Sequence, residues 1–430
     1  MFEAGRVGWL VVGVIAFCLV FGLGGGFAVF GAGEEMTEAE GLYAYHGFQY
    51  EEPVINDVEA GDFLIMPWGW TPGDEGVLED IKDCGFNVAG FMAPEYVEVA
   101  RKVGIQCIVD DPRISKHVLT EEMSDEEIAR RVGEAVAKFK GDPAVFGYYV
   151  MDEPVAPVFA NLARWSRAIR QADGEAAVYI NLHSMVAREL GAKDYEEYVG
   201  RFLEEVDPTY ISYDHYALKD DGSVAETLYL NLSTMRKASL EREIPFWNIV
   251  LANGHFRYAS PTQGGINLQV YATLAYGGRG ISYFTYFAPL IGNYRDAAVD
   301  QFMHKTPTWD MLRLINLQIR QLCPTYLKLK SVNVFHHPEV PAGENGLAGS
   351  RHLSEVTGRN LLVGEFEDGD GKPFVLIVNK DIRLSTHFNV KFKEEGRIMQ
   401  TNAYTGKAGE WGRENNWLAP GTGMLLSLEK

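Results

Sequence analysis

The stretch Gly147-Tyr-Tyr-Val-Met-Asp-Glu-Pro154 decides the fold that we predict for this chain. Val145 to Met151 is an apolar, aromatic run typical of a strand buried on both faces of a parallel sheet, and Pro154 ends it. Asp152 and Glu153 therefore follow the C-terminal end of a buried strand. In (β/α)8 barrels this end of every strand faces the active site, so both acids are candidates for catalysis. A helix cap is the structural alternative, but a cap needs one acid and no aromatic strand.

Other apolar runs of similar length recur along the chain, and amphipathic patterns typical of helices separate them. The predicted strands are 63–66, 87–92, 106–109, 145–151, 177–180, 210–213, 246–251 and 280–286. Eight strands, each followed by a helix, over about 260 residues match the count and size of a (β/α)8 TIM barrel. A doubly wound α/β sheet is the alternative, but no glycine-rich phosphate loop follows the first predicted strand.

The predicted domain organisation follows from two changes in the sequence pattern. After about residue 324, short alternating strands separated by glycine-containing turns predict antiparallel β-structure. We therefore predict an α/β protein with a barrel over residues 61–324 and a small C-terminal antiparallel β-sandwich over 325–430. Residues 1–33 are almost wholly apolar and predict a signal peptide or membrane anchor, joined to the barrel by a linker over 34–60. This predicts a secreted or periplasmic protein, either free or held to the membrane.

The composition restricts the partners of the protein. Its net charge of −20 argues against nucleic acid and anionic membrane surfaces as partners. Beyond the N-terminal segment, the cysteines are Cys84, Cys107 and Cys323, an odd number at wide spacing. We expect them to be buried thiols rather than a disulfide framework or a metal site.

Polar and aromatic side chains collect at the ends of the predicted strands. Besides Glu153 and Asp214, they are Trp68, Trp70, Asp111, Asp152, Asn181, His183, His215, Tyr216, Asn248, Tyr283 and Tyr286. Aromatic rings stack on the C–H faces of pyranoses, and carboxylates, amides and imidazoles bind sugar hydroxyls. Any one of these residues alone is more typical of packing, but the set predicts a carbohydrate substrate.

A catalytic metal is the main alternative use of these residues. His183, Asp214 and His215 are possible ligands of a divalent ion, as in barrel amidohydrolases. Those enzymes usually carry a His-x-His on the first strand, where this chain has Trp68-Gly-Trp70. We therefore predict neither a metal nor a cofactor.

The stretch Tyr149-Val-Met-Asp-Glu-Pro154 resembles clan A glycoside hydrolases, retaining (β/α)8 enzymes that carry Asn-Glu-Pro at the end of the fourth strand. The stretches 210–216 and 280–286 also resemble the sixth and eighth strands of uncharacterised secreted bacterial sugar hydrolases. The resemblance implies a glycosidase that cleaves an extracellular oligo- or polysaccharide. It also implies Glu153 as general acid, with Asp152 in place of the usual Asn.

The chain departs from this family at the seventh strand, where clan A enzymes carry the nucleophilic Glu. Residues 245–253 contain no acid, so either the strand lies elsewhere or another carboxylate replaces that Glu. Asp214 is the best replacement. It lies two strands from Glu153, and strands are about 4.8 Å apart, so we expect a separation of roughly 8 to 10 Å. That suits an inverting base, at about 6.5 to 9.5 Å, better than a nucleophile, at about 5 to 5.5 Å. Burial should then raise the pKa of Glu153, while Asp214 stays ionised.

Other interpretations stay open. The adjacent Asp152 and Glu153 resemble the Asp-Glu of β-hexosaminidases, in which the acetamido group of the substrate attacks. Neighbouring residues of a strand point to opposite faces, so this requires the chain to turn at Asp152. Loop acids, Asp74, Glu75 or Glu95, are a third source of the second carboxylate. A non-catalytic carbohydrate-binding barrel, or a hydrolase or lyase of another bond, would use the same residues differently.

Overall fold

The computed structural model describes residues 54–115, 122–412 and 416–430. These described residues form one compact unit. The signal peptide or membrane anchor predicted over residues 1–33, and most of the predicted linker, lie outside the described residues. Within those ranges, none of the helices combines the length and the apolar character needed to span a bilayer.

Eight parallel strands form the barrel predicted from the sequence, and their order around the sheet is β1-β8-β7-β6-β5-β4-β3-β2. They are β1 (Leu64–Pro67), β2 (Val88–Met92), β3 (Gln106–Val109), β4 (Val145–Asp152), β5 (Ala177–Leu182), β6 (Ile211–Asp214), β7 (Phe246–Leu251) and β8 (Gly280–Phe284). A parallel bridge between Trp70 and Phe91 joins the segment after β1 to β2. The barrel fold class is therefore confirmed.

Helices cover the outside of the barrel. They are α1 (Glu75–Asp83), α2 (Val97–Val103), α3 (Pro112–Ser115), α4 (Asp125–Val136), α5 (Phe159–Ala172), α6 (Tyr195–Glu205), α7 (Thr227–Arg242), α8 (Gln263–Ala275) and α9 (Pro307–Tyr326). Short 3-10 turns at Pro94–Tyr96 and Ala156–Val158 precede α2 and α5. Because successive strand residues face opposite sides, each strand sends alternate side chains to the helices and to the barrel interior.

The barrel interior is filled by side chains, so it is a packed core rather than a pore. Leu64, Met66, Ile108, Tyr179 and Trp247 belong to this inner cluster. The cysteines of the barrel pack elsewhere: Cys84, Cys107 and Cys323 are buried, unpaired thiols, as predicted. Burial raises the pKa of Cys107 and of Cys323 to about 12, which keeps both thiols protonated and unreactive.

The C-terminal region is antiparallel, as predicted. Its strands are β9 (Lys330–His337), β10 (Leu353–Thr357), β11 (Leu361–Glu367), β12 (Pro373–Asn379), β13 (Thr386–His387), β14 (Asn389–Phe392), β15 (Arg397–Thr401), β16 (Ala408–Glu410), β17 (Trp417–Leu418) and β18 (Gly423–Glu429), with a 3-10 turn at Leu347–Gly349. Six of them form one sheet in the order β16-β15-β18-β12-β11-β9.

The two faces of this sheet pack against different partners. Leu361 and Val363 of β11 share a core with Phe388, which lies between β13 and β14, and with Val390 of β14. Leu362, from the opposite face, joins the large core beneath the barrel helices. The approach is close at Gly364, where an added Cβ would lie 2.3 Å from the carbonyl oxygen of Ala275 in α8. The C-terminal sheet therefore packs directly on the barrel.

Candidate active site

Three carboxylates meet at the C-terminal end of the barrel. Asn181, at the end of β5, donates one Nδ2 hydrogen bond to Asp152 at 3.1 Å and another to Asp214 at 3.0 Å. The carboxyl group of Glu153 also lies within hydrogen-bonding reach of the carboxyl group of Asp214. We call Asp152, Glu153, Asp214 and Asn181 the carboxylate cluster.

The backbone around Glu153 explains how two adjacent acids reach one site. The pairing of β4 with β5 shifts between Tyr149 and Met151, and Glu153 has a φ of +46° in the left-handed region. A non-glycine residue rarely adopts this conformation, and such backbone is typical of functional sites. Both acids were expected to reach one site only if the chain turned at Asp152. The turn lies one residue later, at Glu153, and it directs both acids into the cluster.

The predicted separation of 8 to 10 Å between Glu153 and Asp214 is wrong, because their carboxyl groups are in hydrogen-bond contact. Strand spacing gives the distance between backbones. Inward-pointing side chains of β4 and β6 converge above β5, and this closes the gap.

The orientation of Asn181 is set by its own neighbours. Its Oδ1 accepts a hydrogen bond from the Ser212 hydroxyl at 3.0 Å, and Ser212 also contacts the Tyr179 hydroxyl at 3.2 Å. Because Oδ1 already has this donor, Nδ2 must face the two carboxylates. The amide therefore acts as a fixed bridge between Asp152 and Asp214.

The protonation pattern is the reverse of the one expected from the sequence. Burial, and then the charges of Glu153 and Asp152, raise the pKa of Asp214 well above its ordinary value. Burial raises the pKa of Asp152 to about 6. A hydrogen bond from His183 lowers the pKa of Glu153 despite its partial burial. In the free protein the shared proton therefore lies on Asp214, and Glu153 is ionised.

His183 supports Glu153 from the end of β5. Its Nδ1 lies 3.2 Å from Oε1 of Glu153. The His183 carbonyl accepts a hydrogen bond from the Tyr195 hydroxyl at 2.8 Å, which fixes the backbone. Glu153 is the accessible member of the acid pair, since its side chain is 42% exposed, whereas Asp214 is 8% exposed. An incoming ligand therefore meets Glu153 first.

Aromatic side chains lie at the same end of the barrel as the carboxylate cluster. Tyr216 stacks on Phe284 with ring centroids 5.3 Å apart, and Phe284 packs against Trp68 at 5.6 Å. Trp70 follows Trp68 and is 59% exposed. Burial, and then the charges of Asp214 and its neighbours, raise the pKa of Tyr216. Its phenol is therefore close to the acids.

Several predicted binding residues point away from the site. Tyr283 donates to Asn316 of α9 at 2.7 Å, and Asn248 donates to Thr273 of α8 at 2.8 Å. Both lie at outward positions of their strands, because their neighbours in β7 and β8 take the inward ones. These two residues pack the barrel against its helices and are corrected from binding to structural roles.

Three further residues are structural for similar reasons. The Tyr286 hydroxyl accepts a hydrogen bond from the Trp309 indole at 2.9 Å. His215 contacts the Thr227 hydroxyl at 3.0 Å, and burial lowers its pKa to about 4, so it stays neutral. Asp111 is buried and ion-paired with Arg113, the second residue of α3. None of these side chains contacts the cluster.

Two of the three loop acids, Asp74 and Glu75, have structural partners elsewhere. Asp74 caps α1 by accepting a hydrogen bond from the Val77 amide, and Glu75 forms an ion pair with Lys102. The seventh strand lies where it was predicted, is wholly buried and contains no acid. Among the described residues, no group of three or more His, Cys, Asp and Glu is placed to hold a metal. Asp214 is therefore the acid nearest to Glu153 apart from its neighbour Asp152.

The sequence reasoning missed residues in the loops after β7 and β8. His255 is buried among rings that include Tyr258, 4.9 Å away, and Tyr294, 5.1 Å away. Burial, and then the charges of Asp214 and Glu153, raise the pKa of Tyr258, so this loop also borders the acids. The aromatic residues of the stretch 255–258 could have indicated a binding loop. They lie several residues beyond the end of β7, however, so a search of the strand ends does not reach them.

The comparisons with known proteins concern the fold. No family model matches the chain, and no curated protein matches its sequence. A glycoside hydrolase of family 5 from Bacteroides vulgatus is 13% identical over 85% of this chain and 88% of that chain, with a TM-score of 0.54. Another structure, described as a glycoside hydrolase, is 13% identical over 85% of this chain and 92% of that chain, with a TM-score of 0.53. A β-galactosidase from the psychrophilic Marinomonas ef1 is 9% identical over 63% of this chain and 62% of that chain, with a TM-score of 0.47. The first two likenesses show that the chain has the fold found in (β/α)8 glycoside hydrolases.

Proposed function

We propose that this protein hydrolyses glycosidic bonds and that Glu153 and Asp214 are its catalytic carboxylates. The observation that carries the proposal is the close approach of the two acids at the C-terminal end of the barrel, where Asn181 contacts Asp214 and His183 contacts Glu153. This end of a (β/α)8 barrel holds the active site in nearly all enzymes of this fold. The likeness to glycoside hydrolases supports the proposal, and so do the half-buried rings of Trp68 and Tyr216, which both pack on Phe284 at this end of the barrel.

The shared proton suits general acid catalysis. Transfer of the proton from Asp214 to Glu153 along their hydrogen bond leaves Glu153 as the acid and Asp214 as the base. Glu153 then donates that proton to the leaving oxygen as the bond between this oxygen and the anomeric carbon breaks. A water molecule adds to the anomeric carbon and gives its proton to Asp214, which regenerates the single shared proton.

The carboxyl groups of Glu153 and Asp214 must move apart for this reaction. A base and an acid that admit a water beside the sugar lie about 6.5 to 9.5 Å apart in inverting enzymes. Glu153 is the more exposed acid, so its side chain is the one that can rotate away from Asp214. The substrate would therefore separate the pair when it binds.

The same contact favours a second candidate, a hydrolase of 2-acetamido sugars. Substrate-assisted cleavage needs no gap between two acids, because the acetamido oxygen attacks the anomeric carbon. Asp152 lies beside Glu153 and shares Asn181 with Asp214, so either aspartate could orient that group. This candidate predicts activity on 2-acetamido substrates and none on their 2-hydroxy counterparts.

The substrate class that we propose is an extracellular oligo- or polysaccharide. The secretory or anchoring segment predicted over residues 1–33 supports a substrate outside the cytoplasm. The negative net charge of the chain disfavours polyanionic substrates. A carbohydrate-binding barrel without catalysis is the competing proposal.

The test is turnover of a panel of aryl glycosides, including 2-acetamido sugars, by the wild type, Glu153→Gln and Asp214→Asn. Glu79→Gln, an exposed acid on α1, is the matched control. We expect both site variants to lose activity while the control keeps it, with NMR showing inverted product. Activity confined to 2-acetamido sugars, with retained configuration, would select the second candidate. Binding without turnover of any glycoside would select the non-catalytic barrel.

A further inference from the structure

The loops after β6 and β7, the end of β8 and the loop after it surround one histidine with aromatic rings. The His255 ring lies 5.8 Å from Tyr216, 5.5 Å from Phe284, 4.9 Å from Tyr258 and 5.1 Å from Tyr294, on which it is stacked. His255 itself is 4% exposed, whereas the four surrounding rings are half-buried. We call these five residues the aromatic pocket.

A chain of hydrogen bonds fixes the tautomer of His255. Its Nδ1 lies 2.9 Å from Oδ1 of Asn253. The amide of Asn253 donates to the Thr285 hydroxyl at 3.1 Å, and that hydroxyl donates to the Phe287 carbonyl at 2.7 Å. Each donor along this chain is therefore assigned, and Oδ1 of Asn253 can only accept. The proton of the neutral imidazole must lie on Nδ1.

The other ring nitrogen is left as a free acceptor. No residue within the described ranges forms a hydrogen bond with Nε2 of His255. Nε2 is also not among the buried polar atoms that lack a partner, so it keeps some access to solvent. Burial lowers the pKa of His255, which keeps the ring neutral near pH 7 and the Nε2 lone pair available.

The aromatic pocket borders the carboxylate cluster. The charges of Asp214 and Glu153 contribute to the raised pKa of both Tyr216 and Tyr258, after burial. Asp214 ends β6 and Tyr216 follows it by two residues, so both lie at the same end of the barrel. A ligand whose reacting bond reaches Glu153 would therefore bring a neighbouring ring to the pocket.

We propose that His255 determines specificity: its Nε2 accepts a hydrogen bond from one hydroxyl of a sugar ring that packs against the half-buried rings of the aromatic pocket. This proposal rests on the proposed function, since it assigns a binding role beside the same acids. His255 touches the substrate without taking part in proton transfer. Loss of that hydroxyl, or of the acceptor, should lower kcat/KM by about 10-fold to 100-fold, because the transition state is bound less tightly.

The experiment compares the best glycoside from the panel with its monodeoxy analogues. The proteins are the wild type, His255→Phe, which keeps an aromatic ring but removes the acceptor, and His255→Gln, whose amide oxygen can reach the position of Nε2. His304→Gln is the control, because this histidine of the β8–α9 loop has a 77% exposed side chain. In the wild type, one deoxy analogue should lose about 10-fold to 100-fold in kcat/KM. In His255→Phe, the kcat/KM values for the parent glycoside and for that analogue should differ by less than about 2-fold. His255→Gln should restore part of the difference.

A second measurement does not depend on turnover. In protein labelled with ¹⁵N-histidine, the His255 signals, assigned with His255→Gln, should show a proton on Nδ1 and none on Nε2. Addition of the parent glycoside should shift the Nε2 signal, and the deoxy analogue should not.

The outcomes separate this inference from the proposed function. Turnover with unchanged deoxy discrimination in His255→Phe, or a proton on Nε2, overturns the role of His255 and leaves the catalytic proposal standing. Binding with a shifted Nε2 signal but no turnover supports the role of His255 and overturns the catalytic proposal. Neither binding nor turnover of any glycoside overturns both.

Discussion

The carboxyl groups of Glu153 and Asp214 lie within hydrogen-bonding reach of each other, although β5 separates the strands that carry them. Two carboxylates in contact cannot both be ionised without strong repulsion, so the pair holds one proton. Asn181 donates a hydrogen bond to Asp214, and Nδ1 of His183 contacts Oε1 of Glu153. The site therefore contains a matched acid and base before any substrate binds.

The first prediction concerns the pH dependence of kcat/KM. Activity requires one proton on the pair, so it should fall as the pH drops through the lowered pKa of Glu153 and both acids become protonated. It should fall again as the pH rises through the raised pKa of Asp214 and the shared proton is lost. We expect a bell-shaped profile whose basic limb lies well above the usual carboxylate range. If kcat/KM did not fall until the pH at which tyrosine and lysine titrate, the result would contradict a proton shared by the two acids.

The second prediction concerns the effect of His183 on the acidic limb, which reports the pKa of Glu153. His183→Phe removes the hydrogen bond that lowers the pKa of Glu153, while it keeps a ring beside Tyr198. The acidic limb of the kcat/KM profile should therefore move to higher pH. His352→Phe, a substitution in the C-terminal sheet, is the control and should leave the limb in place. An unmoved limb in His183→Phe would remove His183 from this role.

The third prediction concerns stability and Asp152. Burial raises the pKa of Asp152 to about 6, so the folded state binds this proton more tightly than the unfolded state does. Its contribution to stability is therefore full below the unfolded pKa of about 4 and is lost as the pH rises through about 6. Asp152→Asn keeps an oxygen for the Asn181 amide and removes the buried charge. At pH 7 it should raise the free energy of unfolding by on the order of 1 to 3 kcal/mol.

Asp111 supplies the matched comparison for that experiment. Burial alone would raise its pKa, but hydrogen bonds from Arg113 lower it, so its charge stabilises the fold at neutral pH. Asp111→Asn should therefore lower the melting temperature at pH 7, whereas Asp152→Asn raises it. The relevant measurement is thermal unfolding at pH 4 and pH 7. Equal effects of the two substitutions would contradict the opposite charge environments.

The fourth prediction tests the packing of the C-terminal sheet on the barrel. A side chain at Gly364 would meet the backbone carbonyl of Ala275, which cannot move without shifting α8. Gly364→Val should therefore destabilise the protein by roughly 1 to 3 kcal/mol or more. Gly369→Ala is the control, because its added Cβ meets no atom within 4 Å. Denaturant unfolding measures both, and an unchanged midpoint for Gly364→Val would contradict this contact.

The fold could be predicted from the sequence because its signal is repeated. Eight buried runs separated by helical patterns determine a barrel even when single boundaries are off by one or two residues. The predicted β3 and β7 match the structure at both ends. Three short C-terminal strands, at 353–357, 408–410 and 417–418, were not predicted. They are short or largely exposed, so they leave little apolar alternation in the sequence.

The site was only partly predictable, and the reason is side-chain direction. Asp214 and Tyr216 face inward, whereas His215 between them faces the helices. In β8, Tyr283 faces outward and Phe284 inward. Counting alternate positions along each strand would have made these distinctions. The contact between the two acids and the role of His255 depend on a backbone turn and on long loops, which sequence patterns do not determine.

The most direct test of the central claim is a double-mutant cycle on kcat/KM with the best aryl glycoside. If Glu153 and Asp214 act as one proton-sharing unit, Glu153→Gln and Asp214→Asn should each remove nearly all activity. The double variant should then be no worse than either single variant, because residues that act together lose their effect together. Losses that multiply in the double variant, or an Asp214→Asn enzyme that keeps most of its activity, would contradict the account.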